Sequence, residues 1–204
     1  MALVKYNNNS ISSVTALDSI ASGDLNLITT NTISSGVSES SFTSNIDSTY
    51  DTYLFKFINI HPANDGENFT VGFRDGSTDY DATKTTTVFR AYHTENGSGA
   101  ALGYRTSEDI AQGTGFQIIN FEVDNDADSS CCGELFLFSP SSTTFVKHFI
   151  SRGQTVQTAS TSREDYVAGY CNTTTAIDGV QFKFSSGDID SGVIKMYGLS
   201  KSWA

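Results

Sequence analysis

The chain has 204 residues, and its aromatic content is carried by 14 Phe and 9 Tyr against 1 Trp. Its formal net charge of −11, spread between candidate strands, favours solubility and argues against a nucleic-acid partner, whose phosphates would repel it. No apolar run reaches the roughly 18 residues of a membrane-spanning helix, so membrane insertion is not expected, and residues 1–10 turn polar before an apolar signal segment can form.

The length suits one large domain, or a domain with a terminal arm. A domain of roughly 150 residues hides about 70% of its unfolded surface, so the fold requires neither a disulfide nor a metal. Phe, Tyr, Val, Ile and Thr fit a pleated, half-buried surface, while the usual helix formers are scarce. Only 2 Pro and as many as 17 Gly leave both long strands and tight turns available. The expected fold class is all-β.

Residues 1–48 are dominated by Ser, Thr, Asn and Ile. Within them LNLITTNTI at 25–33 alternates as a half-buried strand does. The segment reads as an N-terminal arm ordering on a neighbouring subunit, as edge strands, or as a plain loop. Residues 49–204 are expected to form a β-sandwich domain. In YDTYLFKFINI at 50–60, alternation places Tyr53, Phe55 and Phe57 on one face and Leu54, Ile58 and Ile60 on the other. Lys56 interrupts the second face, which predicts partial cover by another layer or subunit. His61-Pro62 ends the strand, because Pro cannot donate to a ladder.

Further strands are predicted at 68–74, 87–93, 116–123, 134–138, 145–152, 166–170, 180–184 and 193–199. Between them lie NDG (64–66), RDGS (74–77), ENGS (95–98), SPSS (139–142) and SSGDIDSG (185–192), all built of residues that favour turns. Asn96-Gly97 is the strongest hairpin signal. A helical turn or two is predicted at 106–113, capped by Ser107 and stopped by Gly113. The last strand is expected in the middle of a sheet, tying down the chain end. Short strands separated by regular turn signals describe a jelly-roll-like antiparallel β-sandwich, here with an extended N-terminal segment.

Several of these segments resemble a family of virion proteins from phages of marine bacteria, cyanobacteria included. The likeness rests on MALVKYNNNS (1–10), YDTYLFKFINIHP (50–62), SSTTFVKH (141–148), YVAGY (166–170), QFKFSSG (181–187) and IKMYG (194–198). It implies a jelly-roll-like structural component of the particle, in the tail, its fibres or the capsid surface, and it brings no catalytic residues. The protein is then expected to be made in the bacterial host cytoplasm and to end in the virion, with other virion proteins as partners. A homo-oligomer is expected, and a trimer suits fibres and three-fold capsid positions.

No enzyme is expected. His61, His93 and His148 are the only histidines, and none lies in a nucleophile elbow, a His-Glu-x-x-His segment or a phosphate-cradling Gly loop. Cys131, Cys132 and Cys171 sit at no metal-ligand spacing and read as small buried or loop residues of a chain made in a reducing compartment. Glu164-Asp165 and the pair Asp188 and Asp190 read as acidic turns; a fibre-borne glycosidase would need two carboxylates facing a sugar cleft. Asp124, Asp126 and Asp128 alternate as at the start of a calcium loop, but Ser129 replaces the Gly and Leu135 the closing Glu. They are the candidate metal ligands, for calcium, with Glu134 a further donor. The alternative to a scaffold role is a receptor module binding a host-surface glycan, for which Tyr80, Tyr92, Tyr104 and Trp203 are the aromatic candidates, each also able to pack over a strand end.

Overall fold

The computed structural model describes residues 25–199. In chain order the first six strands are β1 (Leu25–Ile33), β2 (Ser40–Phe42), β3 (Thr52–Pro62), β4 (Glu67–Arg74), β5 (Lys84–Thr94) and β6 (Ala100–Tyr104). Six more follow as β7 (Gln117–Val123), β8 (Cys131–Phe138), β9 (Lys147–Gln157), β10 (Thr161–Cys171), β11 (Gly179–Phe184) and β12 (Ile189–Leu199). No helix forms among the described residues.

The strands make two antiparallel layers. The larger has eight strands in the order β1-β12-β3-β8-β9-β10-β5-β6. The smaller has four, β7-β4-β11-β2. The layers join where Val123 of β7 pairs with Gln157 of β9, which closes the sandwich along one side. This is the all-β, jelly-roll-like antiparallel sandwich that the strand pattern predicts. β12 lies between β1 and β3, inside the large sheet. Residues 25–33 and 40–42 form edge strands of the two layers.

The core is built from rings. Tyr53, Phe55 and Phe57 of β3 point inward and are fully buried, as are Phe69, Val71 and Phe73 of β4 and Phe182 of β11. Phe69 stacks on Phe182 with centroids 5.8 Å apart, and Phe57 meets Phe69 edge-on at 5.4 Å. Phe42, on the short β2, closes the cluster against Phe55 at 5.3 Å. Each buried ring contributes about 1.5–3 kcal/mol of transfer free energy, and paired rings add roughly 0.5–1.5 kcal/mol. Gly133 of β8 makes room for this cluster: a Cβ there would lie 2.6 Å from the Phe57 ring.

The large sheet is wider than the small one, and the segment 105–116 covers the excess. A buried ion cluster pins that segment. The Arg163 guanidinium on β10 donates to Glu108 at 2.5 Å and to Asp165 at 2.6 Å, with all three side chains at most 2% exposed. Arg105 holds the other oxygen of Glu108 at 2.7 Å, and the Phe121 ring lies 4.2 Å from the Arg163 guanidinium carbon. Burial pushes the Asp165 carboxyl above its ordinary value despite the pull of Arg163.

Three expectations are corrected. The segment 106–113 is not helical; its amides go to β5 instead, Ile110 N–H donating to Thr86 Oγ1 at 2.8 Å and Gly113 exchanging backbone bonds with Lys84. Ile60 does not share the face of Ile58. Phe57 pairs with Gly133 but Ile60 with Cys131, so β3 carries one extra residue, a bulge at Asn59 with φ of 51°. The extra residue inverts the alternation, so that Ile60 is 0% exposed while Ile58 is 41% exposed. The strand predicted from 145 begins only at Lys147, because the Ser142 hydroxyl accepts the N–H groups of Thr144 and Phe145 and holds them in a turn.

Candidate functional site

The feature that distinguishes this sandwich is the outer face of its eight-stranded sheet. A soluble antiparallel sheet usually turns a polar face to water. Here, nine large hydrophobic residues are exposed among the described residues, and seven belong to this face: Leu25, Leu27, Ile58, Phe89, Leu102, Tyr104 and Ile150. The remaining two, Val37 and Phe145, lie outside the named strands. Exposed apolar side chains scattered singly need no explanation, but a contiguous set marks a contact surface.

The register brings the face together from distant parts of the chain. Phe89 of β5 pairs with Tyr166 of β10, and their rings stack at 4.6 Å, 5° from parallel. Arg152 of β9 lies over the other side of Tyr166 at 5.4 Å and pairs with Glu164. Burial raises the Glu164 carboxyl, but hydrogen bonds from Arg152 and Tyr166 and the Arg152 charge outweigh it and hold the group below its ordinary value. Its hydrogen bond to Glu164 raises the Arg152 guanidinium in turn. Toward β3, Lys56 faces Glu134 at 3.7 Å.

Two ridges rise from this surface, Phe89 with Tyr166 on one side and Phe136 with Ile150 on the other. Between them, over the small side chains of Thr87 and Ala168, runs a groove of about 270 Å³. A second hollow of about 440 Å³ lies over Ile58, Cys132 and Gln154, walled by Lys56, Glu134 and Glu164. Because Tyr166 is stacked on Phe89 and has the Arg152 guanidinium over its ring, it offers its edge to the solvent. Such ridges fit apolar side chains better than the flat face of a sugar ring.

The residues singled out from sequence are dispersed. Asp124, Asp126 and Asp128 lie in the β7–β8 turn, where Asp124 Oδ1 accepts the Asp126 N–H at 2.9 Å. Among the described residues no three His, Cys, Asp or Glu side chains gather as a metal-holding group. Glu134 stands on the outer face beside Lys56. His61 Nδ1 bonds the Ser129 carbonyl at 2.9 Å, and His148 packs on Tyr170 at 6.1 Å; His93 lies on β5. Cys131 and Cys171 are buried, and burial raises the Cys131 thiol and pushes that of Cys171 up to about 12, away from the reactive thiolate.

Of the aromatic candidates, Tyr104 belongs to the outer face and donates its hydroxyl to Asp109. Tyr92 is stacked by Arg90 at 4.7 Å. Tyr80 lines a polar hollow of about 400 Å³ with Glu39, Asp79, Asp81 and Gln181. Trp203 lies outside the described residues. Sequence reading missed Phe89, Arg152, Ile150 and Tyr166, although a signal for the face was present. Leu135, Phe136, Leu137 and Phe138 are consecutive apolar residues on one strand, a pattern that belongs to strands covered on both sides.

Compared with protein-family models, with curated proteins and with solved structures, the chain matches none of them significantly.

Proposed function

We propose that the protein is a non-enzymatic structural subunit of a bacteriophage particle that works by surface contact, its contact surface being the outer face of the eight-stranded sheet. The observation that carries the contact role is the concentration of exposed apolar side chains on that one face. The phage setting rests on the resemblance of segments such as residues 50–62 and 194–198 to virion proteins of marine phages. In this reading the subunit is made in the host cytoplasm and joins the tail, its fibres or the capsid surface as a homo-oligomer beside other virion proteins. Gold-tagged antibody against the protein, viewed on purified particles by electron microscopy, tests the setting. Label on capsid or tail is expected; particles without label, despite protein in the lysate and accessible epitopes, would overturn it.

A second reading, attachment to a host-surface glycan, is favoured by the hollow beside Tyr80. An aromatic ring, three carboxylates and the Gln181 amide line it together, the groups that stack on and hydrogen-bond to a sugar. Binding on a glycan array that Tyr80→Ala abolishes is the expected result; an array on which the folded protein binds nothing would remove this reading.

A further inference from the structure

One row of side chains crosses the whole large sheet on its outer face. From the β1 edge inward it reads Thr30, Lys195, Lys56 and Glu134. It continues outward as Arg152, Tyr166, Phe89 and Tyr104. Its midpoint falls between Glu134 of β8 and Arg152 of β9, with four strands on either side. Folded on that midpoint, the two halves are complementary: Glu134 meets Arg152, Lys56 meets the Tyr166 ring and Lys195 meets the Phe89 ring. Carboxylate meets guanidinium, an attractive pairing, and the aliphatic stems of the two lysines fall against the ring edges. One of the two neighbouring rows obeys the same rule with apolar groups, since Phe136 falls opposite Ile150 and Leu54 opposite Ala168; in the other, Cys132 falls opposite Gln154.

We infer that this face binds a second copy of the chain, in a two-fold dimer whose axis lies in the interface, parallel to the strands, between β8 and β9. Rotation about such an axis keeps position along the strands and exchanges left for right across the sheet, so each half row lands on the other half of its partner. Packed sheets sit about 10 Å apart and cross at about 30°. The correspondence is therefore best over the central strands β3, β8, β9 and β10 and diverges toward the edges. Glu134 against Arg152 and Phe136 against Ile150 are the contacts that matter most.

A patch complementary to itself is what an isologous two-fold interface requires, whereas a ring of three joins two different patches. The two-fold dimer thus replaces the three-fold assembly expected from the particle setting. The groove over Thr87 and Ala168 also acquires an occupant, since the two-fold brings Tyr197 and Leu54 of the second copy over them. This inference rests on reading the outer face as the contact surface; it does not require that the particle be a phage.

The test is sedimentation equilibrium of the full chain, from low to high micromolar concentration at physiological salt, on the wild type and on two variants, Glu134→Arg and Arg152→Glu. Both positions face solvent, and circular dichroism checks that each variant is folded. The wild type is expected to be dimeric. Either variant alone places like charges at both central contacts and should weaken self-association at least about tenfold. An equal mixture of the two variants should recover the dimer. In the mixed pair the arginine introduced by Glu134→Arg meets the glutamate introduced by Arg152→Glu, and the second contact keeps its native Glu134 and Arg152. Ile150→Glu, in the apolar row, should be monomeric and unrescued by either variant.

A wild-type monomer or trimer, variants that associate as the wild type does, or a mixture that stays monomeric would each overturn the inference. A dimer with unlabelled particles would sink the phage reading alone, and labelled particles carrying a protein monomeric in solution would sink the dimer alone.

Discussion

Glu134 and Arg152 stand opposite one another across the β8–β9 pair, yet each forms its ion pair with a residue on its far side, Glu134 with Lys56 and Arg152 with Glu164. Charge thus alternates in sign over four adjacent strands of a face that is otherwise rich in exposed apolar groups. In the proposed dimer the alternation orients the second copy, and the apolar ridges supply the contact area.

The Arg152–Glu164 pair is exposed, and exposed pairs contribute little to folding. At concentrations where both proteins are monomeric, Arg152→Ala is therefore expected to leave the unfolding free energy unchanged within error. Without Arg152 the Glu164 carboxyl should rise toward its ordinary value, since Arg152 supplies most of what holds it down. An NMR titration of Glu164 in both proteins measures this; an unmoved titration midpoint would contradict the assignment.

The buried cluster at Arg163 should behave oppositely. Glu108→Ala leaves a guanidinium with 0% side-chain exposure short of one counter-charge, and removing one partner of a buried pair costs about 3–5 kcal/mol. Urea denaturation of Glu108→Ala checks this. A loss no larger than that of an ordinary surface substitution would mean that the cluster does not pin the segment 105–116.

At Asn59 the backbone is left-handed, with φ of 51°. Asn and Gly tolerate that region, while a β-branched residue is strained there. Asn59→Gly should be near neutral and Asn59→Val should cost about 1–2 kcal/mol, read from thermal or urea unfolding. Equal stability of the two variants would argue against the bulge that carries Ile60 into the core.

That bulge also shows how far the sequence could be read. Tyr53, Phe55 and Phe57 lie where alternation puts them, because nothing interrupts the pleat before Phe57. Ile60 does not, because a single inserted residue inverts the period and only the pairing of β3 with both neighbours reveals it. The segment 106–113 looks helical locally, but Thr86 and Lys84 of β5 capture its amides, a tertiary effect outside its own residues. Phe89 and Tyr166 become neighbours only through the β5–β10 pairing, and strand order across a twelve-stranded sheet is not written in any local pattern. The doubly apolar run Leu135–Phe136–Leu137–Phe138 is a local trace of the outer face, as is the Leu54 and Ile58 face of β3 that Lys56 interrupts.

Cys171 makes stability sensitive to alkali. Its thiol titrates at about 12 in the folded chain against an ordinary 9.0, chiefly through burial. Below the ordinary value both states keep the proton and the full stability is present. As pH rises toward the folded value, only the unfolded chain loses its proton, so stability falls, by up to about 4 kcal/mol at roughly 1.4 kcal/mol per pKa unit. Cys171→Ala removes this dependence. Between about pH 8 and about pH 10 the wild type should lose about 1.4 kcal/mol more than the variant in urea titrations; parallel losses would show that the thiol ionises freely in the fold.

The most direct measurement is incorporation of the protein into particles when the outer face is altered. Phage carrying Ile150→Glu would be purified and their content of this protein compared with wild type by quantitative mass spectrometry, with the free variant checked for folding. The expected result is a folded protein that is lost from the particle or sharply reduced in it. A folded Ile150→Glu protein present at the wild-type level would contradict the role assigned to this face.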